Sequence, residues 1–254
     1  MRRARAATAV SLETVREAIV SCEACPRLRT YCQRIAREKK AAHRQEVYWG
    51  RPVPGFGDPA ARLLVVGLAP VAHGANRTGR VFTGDGSGDF LMRALYENGF
   101  ANIPTARDVH DGLALRDAYI LSVVRCAPPD NKPTPAEVAR CSAHLAAEIA
   151  ALPNIQVVVA LGKIGWDGYL AFLRSQKQAR PGPRLARPLF GHGAVAPAVA
   201  GQPTLLGSYH PSRQNTNTGR LTRPMLSAIF AAARARIQPG APRLPRPSER
   251  SIET

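Results

Sequence analysis

Apolar residues in this chain come in short unbroken runs, and the segments between the runs carry helical spacing. Residues 62–67 hold Leu63, Leu64, Val65 and Val66 between Arg62 and Gly67. A run of that length without alternation reads as a strand buried on both faces. Residues 117–125, 155–161 and 204–209 repeat the pattern. Helical spacing covers residues 89–98, 162–174 and 223–237. Two further helices announce their own starts. Ser11 can cap a helix through Ser21, with Glu13 in its first turn. Thr134, Pro135 and Glu137 supply the cap, the first-turn proline and the capping-box acid of a helix running to about Leu152. Strands alternating with helices define the class as α/β, a single domain around a mostly parallel sheet.

The polar interruptions are as informative as the runs. Pro52 and Pro54, with Gly50, Gly55 and Gly57, exclude a long helix over residues 48–58, which reads as an irregular loop. Residues 27–46 are strongly basic and partly helical. Residues 176–202 are rich in Pro and Gly, with a short strand-like run and room for a hairpin. Residues 1–10 read as a disordered basic arm, residues 11–237 as the domain, and residues 238–254 as a disordered tail rich in Pro and Arg.

Composition sharpens the functional class. The 254 residues carry 35 Lys and Arg against 18 Asp and Glu, a formal charge of +17. Such an excess favours a polyanionic partner, nucleic acid above all. No apolar run approaches the ~20 residues of a membrane span. The basic N-terminus lacks the apolar core of a secretory signal, so the chain is expected to be intracellular, cytoplasmic and nucleoid-associated. In that setting its five cysteines are expected to be ligands or free thiols rather than disulfides.

Three places carry candidate chemistry. Cys22 and Cys25 form a tight pair, Cys126 leaves the second strand, and Cys141 follows on the next helix. Four thiolates from two distant segments can hold zinc or a [4Fe–4S] cluster. The wide separation of Cys126 and Cys141 favours the cluster, with Cys32 as the spare or a replacement ligand. The loop after the first strand offers His73, Asn76, Thr83 and Asp85 for hydrogen bonding and a lone aromatic, Phe82, suited to stacking on a planar ligand. Loops this long are uncommon unless they have a task. His210 ends the fourth strand and opens a polar, basic loop. In an open α/β sheet it should share the carboxyl edge with the first loop. No flavin or nicotinamide fingerprint is present, since Gly84, Gly86 and Gly88 have the wrong spacing.

The stretch from Gly67 to Gly88, the segment Cys126 to Pro133, and His210-Pro211-Ser212 with its loop together resemble the uracil-DNA glycosylase superfamily, most closely family 5, the type b enzymes. The resemblance implies a three-layer α/β/α fold with a central four-stranded parallel sheet, and excision of uracil and other damaged bases from DNA. It implies a structural [4Fe–4S] cluster on Cys22, Cys25, Cys126 and Cys141. Phe82 would stack on an everted base, Asn131 and His210 would face it, and Asp85 would sit near the sugar. Ala69 and Val71 stand where family 1 carries its water-handling Asp and its methyl-excluding Tyr. That loss implies a wider range, including hypoxanthine and some altered pyrimidines. His73 would help line the base site. Arg77, Arg80, Arg213, Asn215 and Arg220 are expected to contact DNA, with the His210–Arg220 loop wedged into the vacated space. The enzyme is expected to act as a monomer. Phe82 and His210 should converge on one rim with a slot between them. The rival readings are a family 4 enzyme strict for uracil, a nucleic-acid-binding protein without chemistry, and an iron–sulfur redox protein.

Overall fold

The computed structural model describes residues 11–178, 188–196 and 202–237. The expected basic arm and tail lie outside them. Four strands form where the apolar runs predict: β2 (Leu63–Gly67), β3 (Ala118–Ser122), β4 (Val157–Leu161) and β5 (Thr204–Ser208). A two-residue strand, β1 (Phe56–Gly57), adds an antiparallel edge inside the segment expected to be irregular. The sheet is therefore five-stranded, in the order β1-β3-β2-β4-β5, and parallel from β3 to β5. Two residues flanked by Pro and Gly are too few to show a period, which is why the pattern hid β1.

Alternation sorts the sheet into two faces. Leu63, Val65, Ile120, Val157, Val159 and Leu206 point to one side. Helices α4 (Gly86–Glu97) and α8 (Arg223–Arg236) cover that face with Leu91, Met92, Leu95, Leu226 and Phe230. Leu64, Val66, Leu121, Val158, Ala160 and Leu205 point to the other side. There α2 (Pro26–Glu38), α5 (Pro135–Ala150) and α6 (Gly162–Gln178) bring Leu28, Leu145, Trp166 and Tyr169. Helix α1 (Leu12–Val20) begins at Ser11, whose hydroxyl accepts from the Thr14 amide, and packs on α5. The Thr134 capping box forms as the residues predict.

The chain leaves β2, pairs β3 on one side, and then crosses to place β4 on the other. The loops at the carboxyl ends diverge at that reversal, and a crevice opens where ligands bind in such sheets. Two short helices, α3 (Ala75–Thr78) after β2 and α7 (Arg213–Asn217) after β5, have no counterpart in the apolar pattern. Residues 188–196 run back beside β5, with Val195 bridged antiparallel to Leu206. The remainder of the expected hairpin lies outside the described residues.

Candidate active site at the carboxyl rim

The loop from β2 to α4 is built to hold one ring. Phe82 has φ 49°, in the left-handed region that a bulky side chain rarely enters. Such strain persists only where the surroundings enforce it, and it concentrates at functional sites. Here the enforcement is visible. The Arg80 Nε donates to Thr83 Oγ1 at 2.9 Å, and Arg80 Nη2 meets Asp111 at 2.6 Å. Arg77 donates to the His73 and Gly84 carbonyls at 2.8 and 2.9 Å and pairs with Glu46. Gly67 ends β2 directly under the ring, where a Cβ would stand 2.7 Å from Phe82 Cε2. Only a glycine lets the ring lie that close to the strand end.

Arg77 and Arg80 are thus buried braces, and the expectation that they grip DNA is corrected. A charge count cannot distinguish a guanidinium turned inward from one turned out. Asn76 and Thr83 also turn inward: both are fully buried, Asn76 donates to the Cys32 carbonyl on α2 at 3.3 Å while its Oδ1 is left without a partner among the described residues, and Thr83 donates to the Val81 carbonyl at 3.2 Å.

His210 arrives from the end of β5. Its ring centroid lies 5.8 Å from that of Phe82, with the planes tilted by 33°. The two distant segments do meet on one rim. The expected slot between them is absent, because a heterocycle sandwiched between two rings needs centroids about 7 Å apart, twice a stacking contact. A flat ligand would meet the exposed portions of the two rings instead. Burial pushes the His210 imidazole down to about 4, so it is neutral at pH 7. A neutral imidazole still carries one N–H donor.

Asp85 caps α4. Its Oδ1 accepts from the Ser87 and Gly88 amides at 2.8 and 3.0 Å. Burial raises the carboxyl above its usual range, and those two amides oppose the shift. Oδ2 has no hydrogen-bond partner among the described residues, and it lies against Gly74, where a Cβ would come within 2.2 Å. Arg213 lies nearby, its Nε 3.8 Å from the Cβ position of Gly86, and its charge opposes the rise of the Asp85 carboxyl.

His73 is held by a residue the sequence pattern did not single out. Tyr48 Oη lies 3.1 Å from His73 Nδ1, and the rings meet edge-on at 6.0 Å. Burial, then the charges of Lys40, His43 and Arg77, lower the His73 pKa. Ala69 and Val71 are half-buried on the same loop. Asn131 lies on the turn after β3 with φ 56°; its backbone N–H donates to the Pro128 carbonyl at 3.2 Å, and its side chain is exposed.

The loop after His210 departs from expectation. Residues 213–217 are helical, and Asn215 turns inward to donate to the His210 carbonyl at 2.9 Å. Asn215 therefore braces His210. Arg213 and Arg220 are exposed, and the Arg220 guanidinium rests 4.7 Å above the Tyr209 ring.

A second site sits away from the rim. Cys22, Cys25, Cys126 and Cys141 line one recess with Arg29, Arg140 and His144. Arg125, also in its wall, is 1% exposed and pairs with Glu148 at 2.6 Å, while its Nε and Nη1 have no acceptor. Cys32, equally buried, directs its thiol to the Ala127 carbonyl at 3.5 Å.

Comparison with known proteins gives this arrangement a class. A sequence model described as the uracil DNA glycosylase superfamily matches residues 54–234, spanning β1 to α8, and the chain belongs to that superfamily. Within it the likeness is to the type-5 enzymes. The Type-5 uracil-DNA glycosylase of Thermus thermophilus is 47% identical over 218 residues, 86% of this chain and 94% of that protein. That of Mycobacterium leprae is 47% identical over 226 residues, 88% of this chain and 95% of that protein. The Type-4 uracil-DNA glycosylase of Thermotoga maritima matches less, at 33% over 152 residues, 59% of this chain and 62% of that protein.

Proposed function

We propose that this chain is a monofunctional glycosylase that hydrolyses the N-glycosidic bond of uracil in DNA and leaves an abasic site. The observation that carries this reading is the strained Phe82 ring held beside His210 at the carboxyl rim. A base inside a duplex cannot be reached there, so the nucleotide must be everted. The everted ring stacks on Phe82. As the bond stretches, negative charge grows on the departing base and positive charge on the sugar. The neutral His210 imidazole donates its N–H to a base oxygen, and a donor aimed at charge that appears only in the transition state is worth about 3 kcal/mol. Asn131 reads the base edge. Asp85, its Oδ2 open, faces the sugar and the attacking water, much as a carboxylate serves in glycoside cleavage. With Ala69 and Val71 small, the pocket has no bulky gate, which supports acceptance of hypoxanthine beside uracil.

The recess suits a [4Fe–4S] cluster with Cys22, Cys25, Cys126 and Cys141 as its ligands. The thiolate-bound cluster is anionic, and the orphaned Arg125 N–H groups, with Arg29 and Arg140, suit an anion. Bound there, a cluster would crosslink the α1–α2 turn, through Cys22 and Cys25, to the segment after β3 at Cys126 and to α5 at Cys141.

The test is abasic-site formation on oligonucleotides carrying uracil or hypoxanthine, single- and double-stranded. Strand breakage at uracil positions after alkali is expected. Binding without any abasic product would support the non-catalytic reading instead. The purified protein should be yellow-brown with broad visible absorbance, and a colourless, iron-free folded protein would remove the cluster.

A further inference from the structure

A guanidinium is tolerated in a protein interior where its N–H groups have acceptors, and Arg125 falls short of that. Its side chain is 1% exposed. Apart from Asn76 Oδ1, every buried side-chain nitrogen or oxygen without a hydrogen bond among the described residues belongs to Arg125 or to Glu148. The two face each other as an ion pair, Nη2 to Oε2 at 2.6 Å, which leaves Nε and Nη1 idle. Glu148 is not free to turn toward them. Its Oε1 accepts from the Gly55 amide at 2.7 Å and from Tyr119 Oη at 3.0 Å, and both bonds fix the carboxylate against β3.

The backbone of Arg125 is fixed as well. Its amide donates to Cys141 Sγ at 3.3 Å, its carbonyl accepts from the Val53 amide at 2.7 Å, and Cys126 is the next residue. Arg125 lies in the wall of the cysteine recess, close enough for its charge to act on Cys141 and on His144, one turn further along α5. The neighbouring cations are disposed differently. Arg29 donates to Glu23 at 3.1 Å and to the Gly50 carbonyl at 3.0 Å, and Arg140 is exposed. Of these three, Arg125 is the one that brings buried donors with nothing among the described residues to receive them. Beyond the His144 ring, the recess offers it sulfur and apolar side chains such as Leu28, Pro52 and Val124. A water there would lack the several polar partners that hold a buried one.

We infer that the Arg125 guanidinium donates hydrogen bonds to the sulfur shell of a cluster seated on Cys22, Cys25, Cys126 and Cys141, and that Glu148 orients it for that task. Arg125 is then a positioning residue: it sets how firmly the cluster is kept and how readily it accepts an electron. Hydrogen bonds to cluster sulfur and nearby positive charge both favour the reduced, more negative state. Altering the outer partners of metal ligands typically costs about tenfold or more in metal affinity. The inference rests on the cluster reading, and iron content separates the two.

The experiment uses the iron-loaded protein and compares the parent with Glu148→Gln and with the double variant Arg125→Met, Glu148→Gln. The double variant removes both charges together, so no uncompensated ion is left buried, and Gln can still accept from Gly55 and Tyr119. Iron release to a chelator is followed by the loss of visible absorbance, and the reduction potential by anaerobic titration. In the double variant, release should be about tenfold faster or more, and the potential should move to more negative values. In Glu148→Gln alone the guanidinium keeps its charge, so the potential should rise and release should be no faster than in the parent. Were Arg125 merely the partner of Glu148, Glu148→Gln would strand a buried cation and speed release, while the double variant would match the parent in both readouts. Either result overturns the inference, and if the double variant does not fold, the single variant decides. A parent that folds but is purified without iron would overturn the cluster reading and take this inference with it.

Discussion

The two loops that meet at the rim are built on opposite plans. The one between β2 and α4 turns its arginines inward: Arg77 and Arg80 are buried and spend their N–H groups on two of the loop's carbonyls, its Thr83 hydroxyl, and the distant acids Glu46 and Asp111. The one after β5 turns them outward: Arg213 and Arg220 are exposed, and only Asn215 reaches back. The first loop holds a strained aromatic where it must be, and rigidity is its contribution. The second leaves its guanidinium groups facing solvent around a single fixed imidazole. Guanidinium groups with the same formal charge are therefore spent on internal partners in one loop and left at the surface in the other.

Arg80→Met should have the largest effect on folding. It leaves Asp111 charged and nearly buried without its partner, a loss of about 3 kcal/mol or more. Urea unfolding would show an earlier midpoint, and Phe82 would lose its enforced geometry, slowing excision. The salt dependence of DNA binding should not change. A stable Arg80→Met protein with a shallower salt slope would erase the contrast between the loops. The reverse holds for Arg220→Ala, the smaller effect. Its unfolding midpoint should match the parent, while the slope of log affinity against log salt should fall by about 0.9, one phosphate contact. An unchanged slope would mean that Arg220 only covers Tyr209.

Much of this was legible in the residues. Ser11 and the Thr134–Glu137 box announce helix starts through local hydrogen bonds, which need no tertiary context. The four long strands declare themselves because burial on both faces demands unbroken apolar runs. The convergence of Phe82 and His210 follows from both loops leaving the carboxyl ends of strands in one parallel sheet. What stayed hidden depends on partners far along the chain. The direction of Arg77 and Arg80 is set by Glu46 and Asp111, and Tyr48 finds His73 across 25 residues. The Arg125–Glu148 pair joins the end of β3 to the last turn of α5, with no spacing rule to reveal it. Short helices α3 and α7 form in polar segments with too few apolar positions to show a period.

The most direct test of the central claim is single-turnover excision of uracil from single-stranded DNA by His210→Ala, beside the parent, across pH. The parent rate should hold level from about pH 6 to pH 8, because an imidazole already neutral has no proton to lose there. The variant should bind the substrate as before and cleave about 100-fold more slowly. A variant that excises at the parent rate, or a parent rate that falls through that range only while His210 is present, would contradict the account.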